Sequence, residues 1–127
     1  MYRLILISML SMLTVACSGG EQARVPAQLW NGIIFKIETH PYPVKVGHNE
    51  IWLKSTKKEG GPAWSIIVWL RSNESAEWVQ SVQDGHIGVF RRAVKIEEGD
   101  RYLSARIKRG KEETELQFEL PWHIAGQ

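Results

Sequence analysis

Apolar and polar residues alternate along the last third of the sequence, and this alternation restricts the fold more than any other feature of the chain. Successive side chains of a β-strand point to opposite faces, so an apolar residue at every second position marks a strand with one face in a core. No stretch from Leu29 onward keeps a 3.6-residue apolar period for three turns, which argues against helices. The sequence therefore predicts antiparallel strands over residues 101–109 and 114–120. Their apolar faces are formed by Leu103, Ala105, Ile107, Leu116, Phe118 and Leu120.

Four further segments rich in β-branched and aromatic residues are predicted to be strands, and turn residues separate them. Glu59-Gly60-Gly61-Pro62 is a turn signal, and the two prolines of His40-Pro41-Tyr42-Pro43 interrupt any strand ladder there. Short strands separated in this way are typical of an Ig-like antiparallel β-sandwich, and a small β-barrel is the alternative. The fold class is thus expected to be all-β. The four segments are residues 32–39, 51–56, 64–71 and 87–96.

Three apolar residues that alternation turns away from the core form a candidate partner patch. In the 51–56 strand this residue is Trp52; in the 64–71 strand the residues are Ile67 and Trp69. The Gly60-Gly61-Pro62 turn predicts that the two strands are neighbours, which would place Trp52, Ile67 and Trp69 side by side as an interaction surface. The alternative is a second minor core, covered by the N-terminal tether, the C-terminal segment or residues 76–78. The inward positions of the 64–71 strand are Trp64, Ile66, Val68 and Leu70.

The first twenty residues differ from the rest of the chain. After the single cation Arg3, residues 4–13 are apolar, or small and weakly polar. Ten residues rise only about 15 Å as a helix, roughly half of a bilayer core, which is typical of a signal peptide and too short for a membrane span. The run ends in Leu13-Thr14-Val15-Ala16-Cys17, which resembles the lipobox of bacterial lipoproteins. The alternative is an ordinary secretory signal that happens to be followed by a cysteine.

The lipobox resemblance implies a division of the chain into three parts. Residues 1–16 would be a signal peptide, residues 17–28 a lipidated tether and residues 29–127 the β-sandwich domain. Cys17, the only cysteine, would carry the lipid, and two or three acyl chains would hold the protein on a membrane. By analogy with Gram-negative sorting, Ser18 favours the periplasmic face of the outer membrane. The expected location is therefore the cell envelope.

A second resemblance concerns the domain itself. Pro41-Tyr42-Pro43-Val44-Lys45-Val46-Gly47-His48-Asn49 leads into a strand, and Gly60-Gly61-Pro62-Ala63 and Gly99-Asp100-Arg101-Tyr102 follow later. Between about residues 41 and 120 the chain resembles the YtkA-like and FixH-like domains, small Ig-like sandwiches of the bacterial envelope. That resemblance implies, as an alternative function, a copper-handling chaperone linked to assembly of respiratory oxidases. Independently, Gly47 suits a turn with positive φ, and Asn49 can bond the backbone beside it.

The residues themselves give little support for a metal site. The metal-handling members of those families carry methionines or histidines in the domain, whereas all three methionines of this chain lie in residues 1–16. The candidate ligands are the histidines His40, His48 and His86, but no pair has the i, i+4 or H-x-H spacing that places two imidazoles on one metal. We therefore expect no metal and no other cofactor.

Motifs and charge also bear on the class of function. The chain has no G-x-S-x-G elbow, no cysteine left free after lipidation and no phosphate-binding glycine loop, so no enzymatic activity is expected. Of the 16 basic residues only Arg3 lies in residues 1–16, so the remainder, with 14 acidic residues, carries a net charge of +1. So small a charge gives no reason to expect nucleic acid as a partner. The sequence therefore predicts a non-catalytic binding or assembly-accessory module with an envelope protein as its partner.

Overall fold

The structure is a computed structural model that describes residues 25–83 and 87–122. Cys17, His86 and the predicted signal peptide lie outside the described residues. Within the described residues the chain forms nine β-strands and no helix, and therefore contains no helix that could span a membrane. The strands are β1 (Gln28–Trp30), β2 (Ile33–His40), β3 (Gly47–Lys57), β4 (Ile66–Arg71), β5 (Val79–Gln80), β6 (Val82–Gln83), β7 (Val89–Ile96), β8 (Tyr102–Arg109) and β9 (Glu112–Glu119).

These strands form two antiparallel sheets. The order is β1-β2-β3-β7-β6 in the five-stranded sheet and β5-β4-β8-β9 in the four-stranded sheet. Every pair of neighbouring strands is antiparallel. Two separate sheets that enclose one core confirm the predicted β-sandwich and exclude the closed barrel.

The core between the sheets consists of the alternate residues of each long strand. Its most deeply buried side chains are at most 2% exposed, and each of those larger than alanine contributes about 1.5–3 kcal/mol by leaving water. The faces predicted for the 51–56 and 101–109 segments are therefore confirmed. From the five-stranded sheet come Ile33, Phe35, Ile37, Ile51 and Leu53; from the four-stranded sheet come Val68, Leu70, Leu103, Ala105, Ile107 and Phe118.

The strand predicted over residues 64–71 is shorter than expected, and Trp64 does not face the core. Ser65 has a φ of 56°, in the left-handed region, so the extended alternation does not continue through it. β4 consequently begins at Ile66, and the side chain of Trp64 is 55% exposed. Ile66, Val68 and Leu70 are buried as predicted.

The prediction that the strands on either side of Gly60-Gly61-Pro62 are neighbours is wrong. β3 already pairs with β2 on one side and with β7 on the other, so it has no free edge for β4. Residues 58–65 instead carry the chain across the sandwich from one sheet to the other. The buried side chain of Ala63 and a bridge between Thr56 and Pro62 hold this crossover against the core.

Candidate binding surfaces

Trp52 lies on the outer face of the five-stranded sheet, where two neighbouring side chains contact its ring. Its cross-strand partners are Glu38 on β2 and Arg91 on β7. The His40 ring centroid is 4.8 Å from that of Trp52, and the Arg91 guanidinium carbon lies 4.5 Å from the indole centroid. Trp52 is therefore packed against side chains of its own sheet and is only partly exposed.

Glu50 joins this stack through its carboxylate. The indole nitrogen of Trp52 donates a hydrogen bond of 2.9 Å to Glu50 Oε1, and the Arg91 guanidinium pairs with the same oxygen. The hydrogen bond from Arg91, assisted by that from Trp52, lowers the pKa of Glu50 below its ordinary value, although partial burial opposes this. The carboxylate therefore stays ionised and serves to hold Trp52 and Arg91 together.

A different aromatic surface lies on the outer face of the four-stranded sheet. Ile67 and Trp69 occupy successive outward positions of β4, and Ile67 is 40% exposed. Arg106, directly across from Trp69 on β8, holds its guanidinium carbon 5.8 Å from the indole centroid, within cation–π range. At the far end of β8, Tyr102 is 45% exposed.

The surface continues past the end of β4 through a second arginine–tryptophan pair. The guanidinium carbon of Arg71 lies 4.3 Å from the ring centroid of Trp78, which directly precedes β5. On the other side, Glu113 of β9 forms an ion pair with Arg106. Arg71, Trp78, Arg106 and Glu113 line a shallow depression of about 430 Å³. The aromatic–arginine face, as we call this surface, consists of Ile67, Trp69, Arg71, Trp78, Tyr102 and Arg106.

The predicted patch of Trp52, Ile67 and Trp69 is thus divided between the two sheets. Trp52 lies on the outer face of the five-stranded sheet, and Ile67 and Trp69 lie on the outer face of the four-stranded sheet, on the opposite side of the sandwich. Each residue does face outward as predicted, but only Ile67 and Trp69 are neighbours. The alternation of β8 already placed Tyr102 and Arg106 on one face, whereas the Arg71–Trp78 contact was not predictable from the sequence.

The two histidines within the described residues, His40 and His48, lie on neighbouring strands of the five-stranded sheet. His40 ends β2 across from Glu50 and contacts Trp52, while His48 lies exposed on β3, two residues before Glu50. Within residues 25–83 and 87–122, no group of three His, Cys, Asp or Glu side chains is arranged to hold a metal ion.

Comparison with known proteins found no matching protein-family model, no similar curated protein and no similar solved structure.

Proposed function

We propose that this chain is a lipid-anchored, non-catalytic binding or assembly-accessory module of the bacterial cell envelope. An envelope protein is proposed to dock on the aromatic–arginine face. The observation that supports this most directly is the exposure of Ile67 beside Trp69 and Arg106, with the exposed Tyr102 farther along the same face of β8. Aromatic residues and arginine are enriched at the centres of protein–protein interfaces and supply most of their binding energy.

The chemistry of this face favours binding over catalysis. A general acid or base must be free to exchange a proton with a substrate. Here the Glu113 carboxylate is held by the Arg106 guanidinium, and the depression beside it is shallow. Two guanidinium groups packed against indoles, by contrast, form a surface that a protein partner can cover without any rearrangement of the sheet.

Lipid anchoring on Cys17 is the second part of the proposal, and it rests on the sequence of residues 4–17. β1 is the edge strand of the five-stranded sheet, and the side-chain amide of Gln28 at its start donates to the backbone carbonyl of Gln117 on β9. The tether therefore joins the sandwich at the edge where β1 and β9 meet. The residues from Cys17 to Ala27 span at most roughly 40 Å, which leaves both sheet faces accessible to a partner in the envelope.

We expect the N-terminal peptide of the mature protein to begin at Cys17 and to carry two or three fatty acyl chains. The reason is the signal-like run of residues 4–13 that ends in Val15-Ala16-Cys17. Mass spectrometry of the protein isolated from membranes measures this directly. Cys17→Ser should abolish acylation, and the matched variant Ser18→Ala should retain it. An N-terminus at another residue, or an unmodified Cys17, would contradict the anchor.

We expect a photo-crosslinking residue at position 67 to give a discrete protein adduct in intact cells of the source organism. The same residue at position 34, an outward isoleucine of the five-stranded sheet, should give none. Trp69→Ala and Arg106→Ala should each remove most of the adduct, because one interface hot spot contributes about 2 kcal/mol or more.

Thermal unfolding of the same variants distinguishes a docking role from a structural one. Trp69 lies on the outer face, so we expect Trp69→Ala to keep most of the stability of the domain. A loss of several kcal/mol in the free energy of unfolding, as for a truncated core aromatic, would show that Trp69 stabilises the fold and does not serve mainly in docking. Equal crosslinking from positions 34 and 67 would count against the aromatic–arginine face.

A further inference from the structure

One edge of the sandwich is only partly closed. The chain passes from β5 to β6 through Ser81, whose backbone N–H and hydroxyl both donate to the carbonyl of Val68 at 2.9 Å. β6 pairs only with the Phe90 and Arg91 positions of β7. Within the described part of the chain, the rest of β7 has no strand neighbour on this side. A groove of about 370 Å³ opens there between β7 and the β4–β5 pair. We call it the edge groove.

The edge groove is closed at both ends and has an apolar floor. At the end away from Ser81, the hydroxyl of Ser72 donates a 2.6 Å hydrogen bond to the Lys95 carbonyl, which ties the end of β4 to β7. Buried Leu70 and Val94 and the partly buried Val79 line the floor. Its volume is near the lower end of the roughly 300–1,000 Å³ range of ligand pockets, enough for one or two residues of a peptide.

The rim of the edge groove is cationic. Arg71, Arg92, Lys95 and the imidazole of His48 line it, with Glu77 as the carboxylate among its lining residues. Arg92 pairs with Ile51 and follows the buried Phe90 by two residues, so strand alternation directs it toward the core. It lies exposed at the mouth of the groove because the edge is open there.

Arg71 provides an independent indication of a ligand. Its Nε atom is buried and has no hydrogen-bond partner within residues 25–83 and 87–122. One terminal nitrogen makes only a long contact of 3.4 Å with the Glu74 carbonyl, although the guanidinium packs on Trp78. A buried donor without a partner costs about 1–3 kcal/mol, and a carboxylate that draws the Arg71 side chain toward the groove would give its Nε–H a partner.

Protection of the sheet edge explains only part of this arrangement. A charged residue that points inward on an edge strand prevents unwanted pairing between sheets, and Arg92 fits that role. Arg71 does not fit that role, because β4 is flanked by β5 and β8 and is not an edge strand. An Nε atom without a hydrogen-bond partner also contributes nothing to edge protection. A ligand with negative charge accounts for both arginines.

We propose that the edge groove binds an extended acidic peptide. An apolar side chain of the peptide packs on Leu70, Val79 and Val94, and its flanking carboxylates pair with Arg71 and Arg92. Arginine suits this role because its planar fork binds a carboxylate through two hydrogen bonds. The apolar floor favours a peptide over a bare phosphate, which would leave that floor uncovered. This site is additional to the proposed partner surface on the aromatic–arginine face, with which it shares only Arg71.

The test uses the full chain purified in detergent and the capped tripeptide acetyl-Glu-Leu-Glu-amide. We expect the peptide to shift the backbone amide NMR signals of Ala93 and Val94, which line the groove, in a saturable manner. Acetyl-Gln-Leu-Gln-amide, of the same shape but uncharged, should bind at least tenfold more weakly. Raising the salt concentration should weaken binding of the acidic peptide, because its ion pairs with the arginines lie at a partly exposed rim.

Variants of the rim complete the experiment. Arg92→Gln should weaken binding of the acidic peptide at least tenfold, while Arg92→Lys, which keeps the charge but loses the fork, should weaken it less. Arg101→Gln, a matched change outside the groove, should have no effect. Thermal unfolding checks that Arg92→Gln remains folded. Equal binding of the two peptides, no effect of Arg92→Gln, or the same shifts with inorganic phosphate alone would overturn the proposal.

Discussion

Replacing Asn49 by alanine is expected to lower the free energy of unfolding by about 2–4 kcal/mol. The side chain is fully buried, and it binds the loop that connects β2 to β3. Its Oδ1 accepts a hydrogen bond of 3.0 Å from the Lys45 N–H, and its Nδ2 donates to the carbonyls of Lys45 at 2.7 Å and Gly47 at 3.0 Å. Alanine removes all three bonds at once and leaves a cavity beside the unpaired backbone groups.

Urea-induced unfolding measures this loss, and Asn73→Ala is the matched control. Asn73 also lies in a connection between strands, but its contacts with Asp100 are longer, at 3.2 and 3.3 Å, and it is only partly buried. We expect Asn73→Ala to cost about 1 kcal/mol or less. A loss for Asn49→Ala no larger than that for Asn73→Ala would show that the 41–47 loop is stabilised mainly by other contacts.

Gly88→Ala is expected to lower the free energy of unfolding by about 3 kcal/mol or more, through two separate effects. The residue has a φ of +85°, which an L side chain rarely adopts. A Cβ atom at this position would lie 2.7 Å from the Ser55 carbonyl oxygen and 3.3 Å from the Pro62 Cβ. The backbone at Gly88 cannot move away from Ser55 easily, because the Gly88 carbonyl accepts hydrogen bonds from both the N–H and the hydroxyl of Ser55, at 2.8 and 3.0 Å.

Gly99→Ala separates these two effects. Gly99 has a similar φ of +91°, but a Cβ there would meet no atom within 4 Å. Its substitution should therefore cost only the backbone strain, about 1 kcal/mol. The difference between the two variants in the same unfolding experiment measures the close approach of Gly88 to Ser55. Equal losses would mean that the backbone around Gly88 and Ser55 adjusts without cost.

The sequence by itself determined the class of the fold and the direction of most side chains. A strand turns its side chains alternately to the two sides, so the pattern of Leu103, Ala105 and Ile107 was enough to identify the buried face of β8. The outward direction of Trp52, Ile67 and Trp69 followed from the same local rule. The turn at Gly47, with its φ of 109°, and the backbone bonds of Asn49 are also local, since both join residues within four positions of each other.

Only the tertiary structure decided which strands are neighbours. A turn such as Gly60-Gly61-Pro62 reverses the chain equally well within a sheet or between two sheets, and the choice depends on whether the preceding strand has a free edge. β3 has none, because β2 and β7 flank it, so Trp52 and Trp69 lie on opposite sides of the sandwich. The exposure of Arg92 has the same kind of cause. Alternation directs it inward, but the short β6 leaves that edge open, and the length of a neighbouring strand is not encoded at Arg92 itself.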